Sequence, residues 1–282
     1  MGCLYLVATP IGNLKDITLR ALETLKQVDL IAAEDTRQTG VLLDHYQIHT
    51  RLTSYHEHNK ETKTASLVDF LHEHDLALVS DAGTPGLNDP GYEIVKEALA
   101  RGHQVVPIPG ASSPISALTA SGLPTDQFLY IGYLPRKRTE RLKLLHEVEK
   151  LPYTLVMLET PHRLVAAMVD LRQALGNRRI VLGREMTKKF EEFIHLTLDK
   201  ADEYFLTHEP RGEFTVVIEG KTRSGDETWN RYALEAEVHR RMSEPYQARE
   251  LAKEIALASG WNSKDIYDVI HELRKRDAHE FG

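Results

Sequence analysis

Short apolar runs alternate with helix-period segments through the first 123 residues. Residues 4–8 form a buried-strand candidate. Residues 17–28 place Leu19, Leu22, Leu25 and Val28 three apart, the spacing of one helical face, with Asp16 or Thr18 available as the cap. "LIAAED" (residues 30–35) reads as a strand running into charge. Residues 64–74 read as helix, and "LALVSDAGTPG" as strand then glycine turn. Residues 92–101 form a helix stopped by Gly102. "QVVPIPGASS" is a strand and turn, and a helix follows over 114–120. Alternation of this kind predicts a parallel sheet with crossover helices.

The pattern restarts near residue 124. "QFLYIGYL", "YTLVMLE", "RIVLGRE" and "EFTVVIEG" read as strands, with helices over 139–149 and 161–175. From about residue 224 only helical stretches remain, over 229–242, 246–258 and 264–276. Gly260 stops the middle one and Ser263 caps the last. The expected organisation is an α/β domain over 1–123, a second over 124–223 and an all-helical extension over 224–282.

Composition narrows the class. Apolar residues make up 41% and charged residues 27%, which places the chain among folded globular proteins rather than disordered ones. No apolar run reaches the ~18 residues of a membrane helix, and no signal-peptide pattern opens the chain, so a cytoplasmic protein is expected. Leu6 stands where a myristoylation signal wants Ser or Thr. Cys3 is the only cysteine, and no H-E-x-x-H occurs among fourteen histidines, so no metal site is expected. A net charge of −7 argues against a protein coated in nucleic acid. The basic run "RKRTERLK" (residues 136–143) reads as a solvated loop and helix face.

Candidate chemistry sits at the strand ends, where open parallel sheets bind ligands. "TPIGN", "AEDTR", "SDAGTPG", "PGASS" and "ETPHR" all fall there. Glycines 83, 86, 91 and 110 allow close backbone approach. Asp81 either caps its own turn or accepts hydrogen bonds from a ribose or an amine. Glu34, Asp35 and Arg37 form either a surface ion pair or a carboxylate base beside a phosphate-binding guanidinium. "ETPHR" repeats the theme with Glu159, His162 and Arg163, and "GREMTKKFEEF" adds Arg184, Glu185, Lys188 and Glu191. The G-x-G-x-x-G spacing of a dinucleotide site is missing from the first loop.

Seven motifs in collinear order resemble the ribosomal RNA small subunit methyltransferase I family, of the tetrapyrrole-methylase superfamily. They are "LYLVATPIGNLKDITLRAL", "AEDTR", "SDAGTPGLNDPG", "IPGASS", "LETPHR", "GREMTKKFEE" and "RGEFTVVIEG". The resemblance implies two tandem α/β domains with an S-adenosylmethionine cleft between them, usually in a homodimer. It implies 2′-O-methylation of a cytidine in the decoding centre of 16S rRNA. Cofactor contacts carry over to Pro10, Ile11, Asp81, Gly83, Thr84, Ser112, Ser113 and Leu158. Glu34, Asp35 and Arg37 are expected to be catalytic, and Arg37, Glu159, His162, Arg163, Arg184 and Lys188 to meet the RNA. Arg249, Lys253, Lys264 and Tyr267 of the tail either grip RNA or belong to a structural brace. Alternatives are a methyltransferase of a tetrapyrrole or corrin precursor and a non-catalytic RNA-binding assembly factor.

Overall fold

A computed structural model describes residues 2–221, 231–242 and 246–280. They fall into two compact units. One holds both α/β halves, and the other holds residues 149–152 with the helices after Gly220.

The first half is built on strands β1 (Cys3–Val7), β2 (Leu30–Ala33), β3 (Leu52–Ser54), β4 (Leu76–Val79) and β5 (Gln104–Ile108). All neighbours pair parallel, in the order β3-β2-β4-β1-β5. Alternate residues of one strand serve opposite cores, as the two-residue period of a strand requires. Ala77 and Val79 pack with Ala21 and Leu25 of α1 (Leu19–Gln27) and Leu43 of α2 (Thr36–His45). Leu76 and Leu78 pack with Leu67 of α3 (Lys60–Phe70) and with Ile94 and Ala98 of α4 (Tyr92–Ala100). Helices thus cover both faces, which is why "LALV" is buried throughout. Of the two proposed caps of α1, Thr18 is the one used: its hydroxyl accepts the Ala21 N–H at 3.2 Å.

Strands β1, β4 and β2 are adjacent, so their carboxyl-terminal loops emerge side by side. The "IPGASS" loop follows β5 on the other flank of β1 and opens α5 (Ser113–Ala120).

The second half is a correction to the parallel expectation. Strands β6 (Phe128–Tyr133), β7 (Thr154–Glu159), β8 (Arg179–Arg184), β9 (Glu192–Thr197) and β10 (Phe214–Ile218) lie in the order β6-β7-β10-β8-β9. Only β6 and β7 pair parallel; β10 runs antiparallel to β7 and β8, and β9 to β8. Ala117 and Leu118 of α5 pack on Val156, Val181 and Val217 of this sheet, which locks the halves together. Helices α6 (Arg138–Val148), α7 (Pro161–Leu175) and α8 (Leu198–Thr207) complete the unit. Pro161 sits in the first turn of α7, where its missing N–H costs nothing.

Three tail helices, α9 (Arg231–Met242), α10 (Ala248–Ser259) and α11 (Ser263–Glu280), share a core of Leu234, Val238, Leu251, Ile255, Ile266 and Ile270. Gly260 adopts φ +67° and ends α10 as expected. The cap of α11 is Asn262 rather than Ser263: its Oδ1 accepts the N–H groups of Lys264 and Asp265 at 3.0 and 2.9 Å. The expected helix start at Trp229 lies outside the described residues. No helix among the described residues is long and apolar enough to cross a membrane.

Candidate functional site

The loops after β1 and β4 are tied to each other by a two-way backbone pair. Thr9 N–H donates to Gly83 O at 2.8 Å, and Gly83 N–H to Thr9 O at 3.0 Å. The buried Thr9 hydroxyl donates to Ser80 O at 3.1 Å, and Thr84 reaches Ala111 O at 3.4 Å. Gly83 sits at φ +83°, and a Cβ on Gly110 would lie 3.0 Å from the Ala8 Cβ. Glycine is therefore required where these turns close on each other.

These turns form one wall of a cavity of about 370 Å³, within the range of small-ligand sites. Ile11, Gly83, Thr84, Ser112 and Ser113 line that wall; Tyr130, Tyr133, Leu158, Met186 and Thr215 line the other, from the second sheet. Glu34, Asp81, Asp89, Glu159 and Glu213 also face it, and no lysine or arginine does among the described residues.

The carboxylates differ in what holds them. Asp81 Oδ1 accepts the Asp35 N–H at 2.9 Å and Oδ2 accepts Gln38 Nε2 at 3.1 Å. Its pKa is nevertheless raised, chiefly by burial, against that backbone hydrogen bond. Glu34 is raised by burial first, with Asp81 and Asp35 adding repulsion. Asp89 is pushed up to about 6, by burial first and then by repulsion from Glu34; the Ser80 hydroxyl opposes the rise. Glu159 is 3% exposed and is also raised by burial. Its Oε1 accepts the Thr160 N–H at 2.9 Å and pairs with Arg163 Nε at 3.3 Å, whereas Oε2 is buried with no partner. A buried, unmatched acceptor in a cavity wall suits a ligand N–H.

The second sheet grips the loop that carries Asp89. The Tyr130 hydroxyl donates to Asn88 Oδ1 at 2.7 Å, and Asn88 adopts φ +69°. Gly132, at the β6 bulge and φ +76°, leaves room for Asn88: a Cβ there would lie 2.6 Å from Nδ2.

Of the residues expected at the site, Ile11, Asp81, Gly83, Thr84, Ser112, Ser113, Leu158, Glu34 and Glu159 line this cavity. Pro10 instead lines a neighbouring cavity of about 270 Å³, with Gln38, Val41 and Lys188; Ile11, Asp81 and Glu213 border both. Gly12 packs there so closely that a Cβ would lie 2.5 Å from Lys188 Cγ. Asp35 and Arg37 line neither cavity. Asp35 caps α2, where it accepts the Arg37 N–H at 2.9 Å, and both its oxygens bind the Arg37 guanidinium at 3.1 and 2.8 Å. These bonds hold Asp35 down at about 2.

The other basic candidates are also engaged. Lys188 Nζ donates to Glu185 and Glu213 at 3.0 Å each. Arg184 pairs with Glu192 at 3.2 Å and donates to Arg211 O at 2.8 Å. Arg163 donates to Leu134 O and pairs with Glu159. His162 is exposed on α7. The run "RKRTERLK" is not wholly a solvated face. Arg141 is buried and binds Asp170 through Nε and Nη2 at 2.8 and 2.6 Å, and Arg138 reaches the same carboxylate at 2.8 Å. In the tail, Arg249, Lys253 and Lys264 are exposed, whereas Tyr267 packs on the helical core.

Asn88, Asp89, Tyr130 and Tyr133 are among the site residues that sequence reasoning missed, with Met186, Glu213 and Thr215. The signal for Asp89 was its place in "GLNDPG" beside two turn-forming glycines. The tyrosines carried none, since a bulge between Tyr130 and Gly132 shifts the strand register. No group of metal-ligating side chains exists among the described residues.

A family model of the tetrapyrrole (corrin/porphyrin) methylases matches residues 3–202. A ribosomal RNA small subunit methyltransferase I of Halalkalibacterium halodurans is 46% identical over 275 residues, which span 96% of this chain and 95% of that protein. The protein of the same name from Synechocystis is 44% identical, over 97% of this chain and 99% of its own length. Among solved structures, uroporphyrin III C-methyltransferase of Thermus thermophilus aligns with a TM-score of 0.55 at 22% identity, covering 77% of this chain and 97% of that one. That likeness is one of fold.

Proposed function

This chain belongs to the ribosomal RNA small subunit methyltransferase I family of the tetrapyrrole methylases, and on that premise we propose that it methylates the ribose 2′-hydroxyl of a cytidine in 16S rRNA, with S-adenosylmethionine as donor. The observation that carries this reading is the charge of the larger cavity. Five carboxylates face it and no lysine or arginine does among the described residues. Such a wall suits a cationic sulfonium and repels a pyrophosphate, in keeping with the missing G-x-G-x-x-G. It also repels the carboxylate-rich tetrapyrrole precursors of the alternative reading. When bound, the donor supplies a methyl group on a positively charged sulfur.

The chain's own residues bind and align. Gly83 and Gly110 bring the turns close to a ligand, Ile11 and Leu158 offer apolar contact, and Ser112 and Ser113 present the start of α5. Glu159 Oε2 accepts an N–H from the ligand. Much of the rate of an in-line methyl transfer comes from such alignment. Arg37, 89% exposed, exchanges Asp35 for an RNA phosphate, with Arg163, Arg184, Lys188 and His162 alongside. The substrate is the 16S rRNA of a small ribosomal subunit. The protein acts as a homodimer, for which Val165 and Val169, exposed one turn apart on α7, supply apolar surface.

Incubation with radiolabelled S-adenosylmethionine and small subunits that lack the modification tests the proposal. Label in 16S rRNA supports it. Label absent from RNA, with the cofactor bound, overturns it.

A further inference from the structure

Resting on that reading, we propose that Asp89 is the general base that takes the proton from the substrate's ribose 2′-hydroxyl. Asp89 lines the larger cavity from the loop after β4, and Tyr130 and Tyr133 line it from the second sheet. Its backbone position is heavily determined. Gly86 and Asn88 occupy left-handed conformations, Pro90 restricts Asp89 to an extended one, and Tyr130 anchors Asn88. A group held this firmly, in the wall where two bound molecules must meet, is placed as a base needs to be.

The other carboxylates are placed or engaged differently: Glu213 takes Lys188 Nζ at 3.0 Å, and the open Oε2 of Glu159 is left to a ligand N–H. Asp35 lines neither cavity. Both oxygens of Asp81 take donors from the start of α2. Glu34 Oε2 takes the Asp81 N–H at 3.4 Å. No lysine or arginine pairs with Asp89 among the described residues, and the Ser80 hydroxyl faces it. The ionisable groups facing it are Glu34 and Asp81 in the first half and Tyr130 and Tyr133 in the second. Both carboxylates raise its proton affinity, and a base that titrates near working pH is the most effective kind. An independent sign that this wall receives a ligand is the buried, unpartnered Oε2 of Glu159.

The step balances within the two substrates and this side chain. The ribose O–H bond breaks and its proton passes to an Asp89 oxygen. The ribose oxygen's electron pair forms the new bond to the methyl carbon. The carbon–sulfur bond breaks with its electrons moving to sulfur, which leaves as a neutral thioether. Asp89 then loses its proton to water.

Single-turnover methylation of undermodified small subunits, followed from pH 5 to 8, tests the assignment in wild type, Asp89→Asn, Asp89→Glu and Glu34→Gln. Cofactor affinity of each variant is measured by calorimetry, and the Asp89 carboxyl is titrated by ¹³C NMR without ligands. Wild type should lose rate below an apparent pKa near 6, and a carboxyl resonance of that pKa should vanish in Asp89→Asn. Asp89→Asn should lose about 10²- to 10⁴-fold in rate, with cofactor affinity within about threefold. Asp89→Glu should recover part of that loss and move the acid limb. A rate within about threefold of wild type in Asp89→Asn overturns the assignment, as does a limb that survives there and disappears in Glu34→Gln. Should Asp89→Asn fail to bind cofactor, the wild-type profile decides: a flat rate from pH 5 to 8 overturns the assignment, and a limb that moves in Asp89→Glu upholds it. A wild-type protein that methylates no RNA would instead count against the proposed reaction.

Discussion

The Tyr130 hydroxyl donates a 2.7 Å hydrogen bond to Asn88 Oδ1 and so fastens the loop that bears Asp89 to the second sheet. The two halves of the α/β unit meet through this bond at the cavity. Tyr130→Phe removes the donor alone. A net loss of about 1 kcal/mol is expected in stability, with a fall in single-turnover rate of about fivefold or more as the loop loosens. Thermal unfolding and methylation assays on the same preparation check both.

Gly132→Ala attacks the same contact from the other side. The new Cβ would lie 2.6 Å from Asn88 Nδ2, at a backbone φ of +76° that alanine disfavours. A loss of about 1–3 kcal/mol is expected, together with a larger fall in rate than Tyr130→Phe gives. A variant as stable and active as wild type would mean that Asn88 is free to move.

Asp89 should make stability depend on pH. Its carboxyl titrates at about 6 in the folded chain, above its ordinary value of 3.8. The unfolded chain therefore gives up this proton first. Its stabilising contribution is complete below about pH 4 and is lost as pH rises through 6. Asp89→Asn should then raise the melting temperature at pH 8, by the equivalent of at most about 3 kcal/mol, with no gain near pH 4. Differential scanning calorimetry of the ligand-free proteins at both pH values reads this directly.

Asp35→Ala removes a helix cap and the Arg37 partner without touching the cavity. A stability loss of about 0.5–2 kcal/mol is expected, with cofactor affinity within about threefold of wild type. Calorimetric binding and denaturant unfolding distinguish this from a direct role at the cofactor.

Asp170 lies buried between Arg138 and Arg141. Asp170→Ala strands the buried Arg141 guanidinium and should cost about 3–5 kcal/mol. Urea unfolding measures it.

The first sheet was legible in the sequence because a strand covered on both faces must be apolar throughout, and "LALV" and "LIAA" are. Other elements were not. Helix α2 has a polar first turn and Gly40 within it, so "TRQTGVLLDH" carries no clear helical signal. Strand β3 is three residues long, and β9 is an edge strand in charged surroundings with His195 in its middle. Missing β9 also hid the antiparallel pairing of the second sheet. The strand-end motifs marked most of the cavity, since glycine turns and polar strand ends are local features. Asp89 and Tyr130 were not marked, because what sets them apart is a contact between the halves across 42 residues of sequence, that of Tyr130 with Asn88.

The central claim is that an acidic cavity, with no lysine or arginine facing it among the described residues, serves methyl transfer to a ribose hydroxyl. Nucleoside mass spectrometry of 16S rRNA tests it most directly, after undermodified small subunits are incubated with the protein and S-adenosylmethionine. The account predicts one new nucleoside, 2′-O-methylcytidine, formed by wild type and nearly absent with Asp89→Asn. A methyl group found on a base, or no methylated nucleoside at all, would contradict it.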